Sequence, residues 1–118
     1  MPRYLAIYTG TLDSEVQRAW DDLPEAEKAD RSERAMRGWG QWAETYRDAI
    51  RDPGAPLGKT LLANPAGISS IRNTMAAYVI VEADSHEAAA RMFENHPHFA
   101  LFPGTGVEIM ECLPMPGA

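Results

Sequence analysis

The sequence predicts an α+β domain in which two helices lie across one face of a four-stranded sheet. Three observations carry that expectation. The runs 4–9 and 77–81 are built from aromatic, β-branched and small apolar residues, and neither face of either run is plainly polar. The stretches 24–51 and 84–96 repeat apolar residues at three- and four-residue steps. Two further short strands, one in each half, complete the order β-α-β-β-α-β.

In the first strand Tyr4, Ala6 and Tyr8 share one face, Leu5, Ile7 and Thr9 share the other, and Gly10 closes it. Residues 14–22 suit a short polar helix or turn anchored by Val16 and Trp20. Pro24 fits a first helical position, and Glu25 and Glu27 favour the N-terminal end of the dipole, so a long helix is expected from Pro24 to about Arg51. Its second half carries Ala35, Trp39, Trp42, Ala43, Tyr46 and Ile50 on one face, whereas its first half, EAEKADRSER, suits only a solvated helix. Gly38 and Gly40 flank Trp39 and cost roughly 1 kcal/mol each against alanine, which suits the close approach of a backbone or ligand.

Asp52-Pro53-Gly54-Ala55-Pro56 reads as a turn, 57–63 as the second strand, and 64–74 as a polar connection bent at Pro65 and Gly67. The central strand 77–81 puts Ala77, Val79 and Val81 on one face and Tyr78 and Ile80 on the other. Asp84 stands at an N-cap position with Glu87 three residues on, a capping-box pattern. The helix that follows carries Ala88, Ala89, Met92 and Phe93 on one stripe and ends before Pro97. A loop with Pro103 and Gly104 is expected at 100–105, a last strand at 107–113 and a tail at 113–118.

At 118 residues the chain is one domain. A net charge of −6, with scattered basic residues, argues against nucleic acid or an anionic membrane as partner. The apolar runs are far shorter than a membrane span, and MPRYLAIYTG is too short in its apolar core for a signal peptide. A lone cysteine, Cys112, precludes an intrachain disulfide and suits a cytoplasmic setting. The strand and helix order is the split ferredoxin-like plan. Two helices leave one apolar sheet face open, and a second copy is its natural cover, so a homodimer packed sheet to sheet, an α+β barrel, is expected. The buried face would carry either Ala77, Val79 and Val81 or Tyr78 and Ile80.

Several segments together resemble the YCII-related family, in particular its DGPF-domain branch. They are the opening RYLAIYTG, Trp39-Gly40-Gln41-Trp42, DPGAPLG from Asp52, YVIVEADS from Tyr78, His96-Pro97, and Val107-Glu108-Ile109. The resemblance implies a dimeric α+β barrel. Relatives in the wider family are thought to use a histidine–aspartate pair, with the histidine early in the first helix. This chain has no histidine before His86 and presents Trp39 and Trp42 in that helix, so no catalytic residue carries over.

His96 and His98 flank Pro97 and are the candidate proton carriers, since an unperturbed imidazole titrates near neutral pH. Alternatively, His96 caps the preceding helix by donating to a free carbonyl. His86, in the first turn of its helix, is expected exposed and neutral. Trp39, Trp42 and Tyr46 form either core packing or the lining of a small-ligand cleft between helix and sheet. His-x-His with Glu108 or Glu111 is a weak metal pattern, and no metal or cofactor is expected. The phosphate loop and the dinucleotide fingerprint are missing. Two functions are compatible with these residues. One is a cofactor-independent acid–base enzyme on a small organic metabolite; the other is a non-catalytic module binding a small ligand or a protein.

Overall fold

A computed structural model describes residues 1–101 and 104–117. The elements in chain order are β1 (Arg3–Thr9), α1 (Ser14–Asp21), α2 (Glu25–Thr45), β2 (Ile50–Pro56), β3 (Thr60–Asn64), β4 (Gly67–Ile71), β5 (Met75–Glu82), α3 (His86–Arg91), α4 (Pro97–Leu101) and β6 (Gly106–Glu111). The principal sheet runs β2-β5-β1-β6 and is antiparallel throughout. With β3 and β4 set aside, the first strand lies between the third and the last, which is the ferredoxin-like arrangement.

Register decides which face is covered. Ala77, Val79 and Val81 stand opposite Tyr8, Ala6 and Tyr4, and Val107 and Ile109 flank the same row on β6. This is the helix-covered face, where Tyr4, Ala6, Tyr8, Val79 and Val81 are buried with Ala89 and Phe93. Trp39 and Trp42 of α2 pack against that cluster. The other face carries Leu5, Ile7, Tyr78, Ile80 and Met110, all half-buried or exposed. Glu82 fastens the three strands' ends: its carboxylate meets Arg51 at 2.9 Å and Arg3 at 3.4 Å, and these guanidinium groups, Arg51 foremost, hold it below the usual carboxylate range.

The charged first half of α2 is held by pairs along its own surface. Arg31–Glu27, Arg34–Asp30 and Arg37–Glu33 are all i,i+4 contacts. The helix stops at Thr45 rather than near Arg51, and Ile50 starts a strand. Asp52 to Pro56, expected as a turn, belongs to β2, the edge strand beside β5. Here the Asp-Pro-Gly chemistry makes an irregular strand. Register shifts fall either side of Asp52, its Oδ1 accepts from Gly54 N–H at 2.8 Å, and Gly54 takes φ 67°. A Cβ on Gly54 would sit 1.7 Å from the Tyr78 carbonyl oxygen, so only glycine permits this approach.

The expected second strand, 57–63, and the connection 64–74 instead form a separate hairpin arm. β3 and β4 pair with each other from Thr60↔Ile71 to Asn64↔Gly67 and with no other described strand. Asn73 Nδ2 donates to Thr60 Oγ1 at the arm's base, while Leu61 and Ile68 stand 69% and 73% exposed. α3 is capped by Ser85, whose hydroxyl accepts from Ala88 N–H at 3.0 Å, not by Asp84. It ends at Arg91, and Pro97 opens α4, because proline suits a first helical position as well as a stop. α4 occupies part of the expected 100–105 loop; Pro103 of that loop and Ala118 of the tail lie outside the described residues. No helix among the described residues is long and apolar enough to cross a membrane.

Candidate functional site

The short passage from α3 into α4 turns two imidazoles inward. His96 is 1% exposed and His98 6%. His96 Nδ1 accepts from the His98 backbone N–H at 3.1 Å, so the side chain satisfies an orphan donor at the start of α4. With Nδ1 accepting, the neutral ring carries its proton on Nε2, which reaches the Tyr8 hydroxyl at 3.2 Å. Burial lowers the His96 pKa to about 4, with the neighbouring His98 adding to the shift. The expected C-terminal cap of α3 is therefore not His96. Trp42 does that work, donating Nε1–H to the Met92 carbonyl at 2.7 Å.

Tyr8 sits at the centre of the cluster. Its ring lies 4.5 Å from Trp39, 4.9 Å from His96 and 5.3 Å from His98, centroid to centroid. Burial pushes its phenol well above the usual range, so the hydroxyl stays protonated. Trp39 and Trp42 approach His96 with centroids 4.5 and 4.8 Å away, both edge-on.

His98 is held differently. Its Nε2 lies 2.8 Å from the Thr9 carbonyl oxygen, which can only accept, so the neutral ring has its proton on Nε2. Gly104 presses against the same ring: a Cβ there would lie 2.4 Å from Nε2. Gly38 likewise admits Pro97, whose Cγ would lie 2.8 Å from an added Cβ, so the close approach expected beside Trp39 is made by α4. Gly40 meets nothing within 4 Å, and nothing in the structure explains it.

His98, Trp39 and Gly104 line an open cleft of about 790 Å3 where β1 ends and β5 begins. Its walls are mostly apolar, among them Met36, Pro56 and Leu57, with Gln17 and Asn73 as polar points. Of the candidates read from the sequence, His98 and Trp39 reach this cleft, and His96 stands behind them. Trp42 and Tyr46 do not line it; their rings pack against each other at a tilt, with centroids 5.3 Å apart. Tyr8 and Gly104 had no visible role in the sequence, because a strand tyrosine and a loop glycine take their meaning only from what crosses over them.

His86 is exposed, as expected, but its ring is engaged. Its Nε2 lies 2.7 Å from the Ile109 carbonyl and its Nδ1 3.3 Å from Glu111, and it stacks on Tyr4. This occupies Glu111, one of the two carboxylates of the His-x-His metal pattern. Among the described residues no three His, Cys, Asp or Glu side chains are grouped to hold a metal ion.

No family model matches the chain, and no curated protein matches it. Among solved structures it is similar to 5-chloro-2-hydroxyhydroquinone dehydrochlorinase from Burkholderia phenoliruptrix, in complex with 2,5-dihydroxybenzoquinone. The superposition has a TM-score of 0.50 at 16% identity and covers 94% of this chain and 93% of that one. At that identity the likeness shows the α+β fold.

Proposed function

We propose that the chain is a small-molecule acid–base enzyme, working on a ring compound bound in the cleft, with His98 as proton carrier. The observation that carries this is the placement of His98 on the cleft wall with its tautomer set by the Thr9 carbonyl. A ring oriented in this way, beside Trp39 and under apolar walls, suits proton transfer on a hydroxylated or quinoid substrate. Tyr8 and His96 act as positioning residues, because the His96 ring accepts from the His98 main chain and is itself held by Tyr8. The fold neighbour is a dehydrochlorinase with a quinone bound, which is compatible chemistry. Chloride release from 5-chloro-2-hydroxyhydroquinone, with calorimetry on 2,5-dihydroxybenzoquinone, tests the reading. His98→Gln is expected to lower turnover by roughly 10²–10⁴-fold while leaving binding within a few-fold.

One observation favours the alternative, a non-catalytic ligand-binding module: a ring nitrogen of His98 is tied to a main-chain carbonyl. Tight binding of the quinone with no turnover in wild type would select it. We further propose a cytoplasmic homodimer of YCII-related type, closed over Leu5, Ile7, Tyr78, Ile80 and Met110. On that face the acidic Glu108 and Asp52 lie on the two edge strands, outside the apolar middle. Light scattering at micromolar concentration checks it; a stable monomer of 13.0 kDa would remove it.

A further inference from the structure

A second hollow, of about 280 Å3, shares the walls Thr11 and Gln17 with the cleft and so opens beside its mouth. Arg18 of α1 and Arg72, which directly follows β4, line it together with Ser14 and Asp21. The two arginines are far apart in sequence; the base of the hairpin arm brings them to one place.

Their ion-pairing sets them apart. The chain has nine arginines. Arg3 and Arg51 meet Glu82, and Arg31, Arg34, Arg37, Arg47 and Arg91 each meet a carboxylate near them on their own segment. Among the described residues, only Arg18 and Arg72 have no carboxylate partner. For Arg18 this is not for want of acids, since Glu15, Asp21 and Asp22 all lie at helical spacing from it. Asp13 is committed to capping α1, and the Asp21 carboxylate accepts from Gln17 Nε2 at 3.2 Å. Thr11 Oγ1 accepts from Asp13 N–H, which leaves its own hydrogen to donate. In a chain of net charge −6, anions are repelled at long range, so two arginines lining one hollow form a local exception.

We propose that the ligand of the cleft is an organic anion whose ring lies in the cleft and whose carboxylate, or equally acidic oxygen, is held between Arg18 and Arg72. The planar forks of the two guanidinium groups match such a group. Asp21 in the same wall offsets one of the two positive charges, which selects a single negative charge over a doubly charged group. The inference deepens the small-molecule reading of the cleft and rests on it.

The test uses two probes with one body, 2-naphthoate and neutral 2-naphthamide, titrated into the full chain by calorimetry and tryptophan fluorescence. Wild type is expected to bind naphthoate at least tenfold more tightly than naphthamide. Arg18→Gln and Arg72→Gln should each weaken naphthoate about five- to tenfold and leave naphthamide unchanged. Raising salt to 0.5 M should shrink the wild-type preference, a readout that needs no variant. Equal affinities for the two probes, or a preference that survives the double variant, would overturn the arginine pocket and leave the cleft reading standing. Binding of neither probe would overturn the cleft reading and this inference with it.

Discussion

Buried His96 makes the stability of this fold depend on pH in a direction that can be worked out in advance. In the folded chain the ring titrates at about 4, against 6.5 for an unperturbed imidazole, because burial disfavours its charged form. Above pH 6.5 both folded and unfolded chains hold the ring neutral, and its full contribution is present. As pH falls below 6.5 the unfolded chain takes up a proton that the folded chain refuses. Unfolding free energy then drops by up to ~1.4 kcal/mol per pH unit until the folded ring itself titrates near 4. The integrated loss is roughly 3 kcal/mol. Urea denaturation from pH 7.5 to 4 on wild type and His96→Gln isolates it, because the carboxylates that also titrate in this range are common to both. The wild-type curve should fall more steeply by that slope between pH 6.5 and 4. Parallel curves would refute the buried neutral imidazole, and a histidine NMR titration with a normal midpoint would refute it independently.

Other substitutions probe the same architecture. Tyr8→Phe should leave the Nε2–H of His96 without its partner at a buried site and destabilise by about 1–3 kcal/mol, read by equilibrium denaturation. Gly104→Ala should force the His98 ring off the Thr9 carbonyl, costing about 1–3 kcal/mol and shifting the His98 NMR signals more than those of His86. Ser85→Ala should cost about 1 kcal/mol, while Asp84→Ala costs less than half of that in the same assay, since Ser85 holds the cap.

The parts of the fold that were legible in the sequence are those where a side-chain pattern and a backbone state agree. β1 and β5 announce themselves because both are covered on one face and half-covered on the other, so their residues are apolar throughout. β2 is not legible in the sequence because Asp-Pro-Gly is turn chemistry, and only pairing with β5 across two register shifts turns it into a strand. In the arm the strand expected at 57–63 overlaps β3, but β4 is silent because Ser69 and Ser70 lie on no buried face, which leaves no alternation to detect. At the site, the histidines could be picked out by type alone. Their division of labour could not, because it depends on Thr9 and Tyr8, each more than eighty residues away in sequence. Arg18 and Arg72 were equally silent, since an unpaired guanidinium is a fact about its neighbours in space.

The irregular β2 has a consequence for how the chain avoids sticking to itself. A sheet rim normally offers a row of N–H and C=O groups onto which a stray strand can zip. Along β2 that row is broken: Pro53 and Pro56 have no N–H to offer, and the kink at Gly54 disturbs the regular spacing between them. Growth of the sheet sideways, the route to fibres, is therefore stopped on this rim by covalent chemistry rather than by charge. Replacing both prolines with valine would restore the two missing N–H donors to this strand, which lies beside the apolar β5. Thioflavin-positive aggregation of that variant under conditions where wild type stays clear is the behaviour the geometry leads one to expect.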